Sequence, residues 1–137
     1  MSFGFSIKRN TTDKYFSDLV RLKANWCCER CHRDYSDHHQ GLECSHFIGR
    51  GNKKTRWDFE NAAALCTGCH IHFTKDAHEH AEFFRKRLGD EAYDALGVRS
   101  KLTMKGSGTD EKMIRIGLKM EWKELNDQLK SNIIGAR

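Results

Sequence analysis

Proline is absent from the 137 residues, which excludes Pro-rich linkers and PxxP-type ligands. No apolar run approaches the ~18 residues of a spanning helix, so no membrane role is expected. Met1–Asn10 lacks the apolar stretch and small-residue cleavage site of a secretory signal, and a cytoplasmic protein is expected. Apolar residues are 38% and charged residues 31%, enough for a modest core only. Lys and Arg outnumber Asp and Glu by 24 to 19, a net charge of +5. The length fits one domain.

Six cysteines stand out in so small a chain. Disulfides need an oxidising compartment, and nothing here points to export. Cys28-Glu-Arg-Cys31 and Cys66-Thr-Gly-Cys69 instead have zinc-ligand spacing. A two-residue gap lets a tight turn offer both thiolates to one ion, and two such turns complete a tetrahedron. Cys27 competes with Cys28 for the first position but fits a knuckle less well. Cys44 has no partner at ligand spacing and reads as a small buried hydrophobe. Compact four-cysteine ribbons place about 15–20 residues between the pairs, whereas 34 separate Cys31 from Cys66 here. The chemistry is expected inside that insertion.

The coarse layout is α+β. Residues 1–11 read as a weakly basic arm. A helix is predicted from Thr12 or Asp13, both good caps, with Phe16, Leu19, Val20, Leu22 and Trp26 as its apolar face. Residues 27–34 form the first knuckle, and Leu42–Ile48 is the best strand candidate. Gly49–Lys54 is a basic, glycine-bearing loop, and Trp57–Leu65 leads to the second knuckle, with Cys69 near the start of a short helix. Helices are predicted over Lys75–Leu88 and over Asp90–Leu96, the latter stopped by Gly97. Lys105–Thr109 reads as a joint. A last helix, capped by Thr109 or Asp110, runs over Asp110–Leu129. Its stripe is Ile114, Leu118, Trp122, Leu125 and Leu129, widened by Met113, Ile116 and Met120.

His46, Asn61 and His70 interleave with the two cysteine pairs. Residues 44–70 carry Cys-Ser-His-Phe, then Thr-Arg-Trp-Asp-Phe-Glu-Asn, then Leu-Cys-Thr-Gly-Cys-His. This order resembles the zinc-bearing HNH, or His-Me finger, nucleases, and more closely the phage recombination endonucleases called NinG or Rap. The likeness continues through Phe84–Tyr93 and around Met120–Leu129, covering roughly residues 26–130.

The resemblance implies a treble-clef, ββα-metal core over 26–76, stapled by zinc on Cys28, Cys31, Cys66 and Cys69. It is preceded by an arm and helix over 1–25 and followed by a helical extension over 77–137, all in one compact domain. Closing such a thiolate site contributes on the order of 10 kcal/mol to folding. It further implies a metal-dependent endodeoxyribonuclease acting on branched DNA, such as Holliday junctions or D-loops, in the host cytoplasm during phage recombination. Phosphodiester hydrolysis needs a deprotonated water, and a histidine of ordinary pKa ~6.5 takes that proton at neutral pH. His46 is then the general base. His70 is the ligand for a catalytic Mg²⁺ or Mn²⁺ that stabilises the leaving 3′-oxygen. Asn61 orients the loop carrying His46. Cutting two symmetric strands points to a homodimer, with the last helix as the interface.

One position departs from the pattern. Many members of the superfamily carry a metal-binding Asp before the general base, and here that residue is Ser45. Glu43, on the same face of an extended strand, is the candidate carboxylate. His72 and Asp76 share a helix face, either as an assisting metal pair or as a surface pair. His78 and His80 read as solvated. Arg50, Lys53, Lys54 and Arg56 fall within seven positions, with no acid between Glu43 and Asp58. Beside His46 this loop is the expected DNA-backbone contact. Two other classes remain: a non-catalytic zinc-finger DNA-binding module, and a disulfide-framed structural protein.

Overall fold

The computed structural model describes residues 8–102 and 107–135. Helix α1 spans Thr11–Lys23 and begins one residue earlier than expected because Asn10 caps it. The Asn10 side chain accepts from the Asp13 amide at 2.9 Å, and the Asp13 carboxylate accepts from the Asn10 amide at 2.9 Å. Asp13 is thus the third helical residue of a capping box, not the cap. Phe16, Leu19 and Val20 are buried. Trp26 lies beyond the helix: the chain reverses through positive φ at Asn25 and Trp26, and the indole stacks on His39 with centroids 3.5 Å apart.

Strands β1, Leu42–His46, and β2, Ala62–Cys66, pair antiparallel, with Leu42 opposite Cys66 and His46 opposite Ala62. The predicted strand to Ile48 stops at His46. The Phe47 amide still donates to the Asn61 carbonyl at 2.9 Å, but Ile48 is bonded by the Asn61 side chain instead of a backbone partner. All five residues of β2 are buried, and three are alanines, so neighbouring helices come close to its faces.

Helix α2, Thr67–Lys75, follows β2 without a loop, and α3 spans Ala77–Leu88. The predicted start of one helix at Lys75 falls instead at a break, because the Asp76 carboxylate accepts from the Glu79 amide at 3.0 Å and caps α3. Gly89, at φ 86°, ends α3, a backbone state that disfavours side-chain-bearing residues. Helix α4, Asp90–Lys101, runs through Gly97, where a stop was expected. Leu96 is fully buried, and Arg99 donates to Asp58 and Glu60 at 2.9 Å each, so the last turn is anchored. Helix α5, Ser107–Gly135, exceeds the predicted range at both ends. It takes in Ser107–Thr109 of the expected joint, while Lys105 and Gly106 lie outside the described residues. Thr109 and Asp110 are therefore inside the helix and do not cap it.

Helix α5 packs along α1. Leu118 is buried, Trp122 meets Tyr15 edge-on, and Glu121 pairs with Lys23 at 2.8 Å. The core stripe is narrower than predicted: Met113, Ile114, Ile116, Met120 and Leu129 are exposed. One buried cluster draws on α1, both strands, α2, α3 and α5, giving a small α+β domain. Among the described residues no helix is long and apolar enough to cross a membrane.

His78 is exposed, but His80 is not a solvated residue. Its ring lies against Phe47, Phe73 and Phe84, with centroids 5.1–5.4 Å away. Alternation of charge around it hid this, because the inward position of α3 is set by Phe84 four residues on. Burial, and to a lesser degree the nearby His70, push the His80 pKa below its ordinary 6.5. The unfolded chain then takes a proton that the folded chain refuses, so this contribution to stability is complete above pH 6.5 and lost as pH falls below it. Urea unfolding should show a midpoint that drops on acidification through that range, and His80→Leu should reduce the drop. Phe84→Ala should cost about 3–5 kcal/mol at pH 7 by the same measurement.

Candidate metal centre and groove

The four predicted thiols converge. The sulfurs of Cys28, Cys31, Cys66 and Cys69 all lie within 4.8 Å of one another, and Cys31 and Cys66 are 3.8 Å apart. A tetrahedral ion with ~2.3 Å Zn–S bonds needs S···S separations of ~3.8 Å. Local backbone builds each half. The Cys31 amide points at the Cys28 sulfur (3.4 Å) and the Cys69 amide at the Cys66 sulfur (3.5 Å). Arg30 adds a guanidinium 3.4 Å from the Cys69 sulfur. Burial raises the Cys69 pKa, and its thiol neighbours raise it further. At Cys66, donors from Cys69, Tyr35 and Cys31 overcome burial and lower it. Four such thiols ionise together only around a cation, and the set fits a structural zinc.

Cys27 is outside the cluster, directed at the Asn25 carbonyl, and pairs by backbone with Asp34. Cys44 is half-buried, its thiol pushed up to about 12 by burial.

Cys66 ends β2 and caps α2, so the metal cluster also sets where His70 emerges. A groove of about 560 Å³ lies beside it. His46, Glu43 and His70 line it, together with Asp13 and Arg21 of α1 and Arg9, the residue before its cap. Arg50 borders it as well. The two imidazoles, 24 positions apart in sequence, thus face one space.

His46 is the last residue of β1. Its Nε2 lies 2.8 Å from the Arg56 carbonyl oxygen. A carbonyl only accepts, so Nε2 carries the proton and Nδ1 keeps the lone pair. Burial lowers the His46 pKa below 6.5, assisted by the charges of Arg50 and Arg56 and opposed by the carbonyl bond and by Asp13. The ring is therefore neutral at pH 7.

Asn61 is fully buried and closes the loop between the strands. Its Oδ1 accepts from the Ile48 amide at 2.7 Å, and its Nδ2 donates to the carbonyls of Ile48 (2.8 Å) and Thr55 (3.0 Å). His70 Nδ1 lies 2.7 Å from the Glu43 carboxylate, which also accepts from the Thr67 hydroxyl. With Nδ1 donating to Glu43, His70 Nε2 is left as a ligand nitrogen. Ser45 is fully buried, so it is no stand-in for a carboxylate in the groove.

Several expected site residues fall elsewhere. His72 turns to Asp76 and Glu79, whose ligand atoms gather within 4.8 Å, and it does not join His70 and Glu43. It sits two positions from His70, a turn of about 200° around the helix. Arg56 is not a surface cation: it is buried and ion-paired with Asp13. Lys53 and Lys54 line a separate shallow cavity with Trp57 and Ile114. Arg9 and Arg21 were missed, because only proximity in the fold ties them to the groove. The sole signal was the basic character of the arm.

No family model, curated protein or solved structure matches the chain.

In Co²⁺-substituted protein, the intense thiolate charge-transfer absorption should weaken in Cys28→Ser and Cys66→Ser, which each leave three thiolates, and stay unchanged in Cys27→Ser and Cys44→Ser. Asn61→Ala leaves the half-buried Ile48 amide and carbonyl without this partner, while the Thr55 carbonyl keeps the Asp58 amide. It should destabilise by several kcal/mol, at about 1–3 kcal/mol for each group left unsatisfied, measured by urea titration.

Proposed function

We propose that this protein is a metal-dependent endodeoxyribonuclease of the HNH type, with the β1–β2–α2 unit as its zinc-stapled catalytic core. The observation that carries the reading is the one groove lined by His46, whose Nε2 is taken by the Arg56 carbonyl, by His70, whose Nδ1 is taken by Glu43, and by Arg50. His46 accepts the proton of the attacking water at Nδ1. The Arg56 carbonyl steadies the imidazolium that forms, through the Nε2 proton. Asn61 keeps the 47–61 loop in register with β1, so the base cannot swing away from the phosphorus. Arg50, with Arg9 in the same groove, holds the sugar-phosphate strand. His70, with Glu43 orienting its ring, would hold a Mg²⁺ or Mn²⁺ ion, which would supply charge for the leaving 3′-oxygen. Glu43 serves by orienting the ring that is the ligand.

The substrate class follows from the motif resemblance, as before: branched DNA of phage recombination, cut by a homodimer so that two active sites meet paired strands. A non-catalytic zinc-finger DNA-binding module is the rival, and it assigns no work to the free nitrogens of His46 and His70.

A panel of linear duplex, single strand, flap and four-way junction, with and without Mg²⁺, tests the reading. Metal-dependent cutting that favours the junction is expected; no cutting of any substrate with Mg²⁺ or Mn²⁺ leaves the binding module. His46→Ala should lower cleavage by about 10²–10⁴-fold with junction binding and zinc content retained. The acidic limb of the rate profile should fall below pH 6.5, because the His46 pKa is depressed. Arg50→Ala removes a like charge, so it should move that limb upward and reduce the salt slope of DNA binding by about one.

A further inference from the structure

We propose that Asp13, on α1 and outside the cysteine–histidine motif, is a positioning residue for His46: its buried carboxylate seats Arg56 so that the Arg56 carbonyl holds the His46 ring with Nδ1 free. The effect on rate rests on the nuclease reading above; the effect on the ring does not.

Asp13 is 4% exposed, and its two oxygens accept four N–H groups. One is the Asn10 amide of its own capping box at 2.9 Å. The other three come from two consecutive residues more than 40 positions away: Arg56 Nε at 2.9 Å, Arg56 Nη2 at 2.5 Å and Trp57 Nε1 at 3.0 Å. Arg56 Nη2 also reaches the Lys8 carbonyl at 3.2 Å. The bidentate fork fixes the guanidinium in plane as well as in position. On the other side, Asn61 Nδ2 holds the Thr55 carbonyl at 3.0 Å. The 55–57 segment is therefore gripped from both directions, and the carbonyl at its centre is the one 2.8 Å from His46 Nε2.

A neutral imidazole chooses its tautomer by what its nitrogens face. A fixed acceptor at Nε2 is a reason for the proton to stay there. Loosening the carbonyl removes that reason, and the proton can move to Nδ1, where it would block the base. Replacing a buried ion pair with apolar side chains is often neutral for stability. The pair therefore matters here for what it aims, through the backbone, at His46. A purely structural pair would predict a less stable protein whose folded molecules keep the ring and the rate unchanged.

The test is ¹⁵N NMR of the imidazole nitrogens at pH 8 in zinc-loaded protein, alongside junction cleavage. Wild type should show His46 protonated at Nε2. Asp13→Asn should gain the Nδ1-protonated form and lose about 10–100-fold in kcat with KM for the junction unchanged. A folded Asp13→Asn protein with the wild-type tautomer and kcat overturns the proposal. If Asp13→Asn does not fold, Arg56→Lys, which keeps the charge and loses the fork, must show the same tautomer change; a wild-type ring there overturns it. If wild type cuts no DNA yet the tautomer changes in the variant, the nuclease reading falls and the positioning role stands.

Discussion

The convergence of Cys28, Cys31, Cys66 and Cys69 is the constraint from which the rest is built. Cys66 is at once the end of β2, the cap of α2 and a member of the cluster. Strand, helix and knuckle therefore meet at one residue, with no loop to absorb error. The direction of α2, and so the place where His70 leaves it, follows from the thiolate geometry. A hairpin of two five-residue strands has little stability of its own. It is held because one end is tied to the cysteines and its faces are covered by α1 and α2.

The opposite end of the hairpin is held by a different chemistry. There the backbone pairing of β1 and β2 gives out, and polar side chains take over. Asn61 replaces strand partners for Ile48, and the Asp13–Arg56 pair ties the returning loop to α1. Burial alone would raise the Asp13 pKa. The bonds from Arg56, the Asn10 amide and Trp57 outweigh it, so the carboxyl lies below its usual 3.8. The pair stays charged down to acid pH: its contribution is complete above pH 3.8 and lost only as pH falls through the lower folded value. His46 sits between these two devices. In the proposed reaction the metal end supplies a ligand and the polar end aims a base.

The groove is asymmetric in origin. Part of its lining comes from the motif-bearing segment and part from α1 and the residue before its cap. Its positive charge is likewise divided between Arg50 and the α1 arginines. Arg21 is already committed, donating to the Ser17 and Leu42 carbonyls and pairing with Asp18. It lines the groove and contributes field there, as do Arg9 and Arg50.

The four cysteines that converge were legible in the chain because their pairing depends on short-range spacing. A two-residue gap lets a tight turn offer both thiols to one point, and a cysteine pair followed by a helix-forming run places the next histidine at a helix start. Helix identities were legible for the same reason, since apolar periodicity is local. Their ends were less so. Asn10 displaced Asp13 as a cap, Asp76 divided two helices, and Gly97 was carried through by Leu96 and Arg99, each through a bond or burial that spacing does not display. What only the tertiary structure decided is which charges are spent and which are free. Arg56 reads in sequence as a basic-loop cation beside Lys53 and Lys54, yet it is buried against a carboxylate 43 positions away, and His80 reads as solvated yet is enclosed by phenylalanines. The reason is physical: a side chain's charge is used by whatever lies within a few ångströms of it, and that neighbour comes from folding, not from the order of residues along the chain.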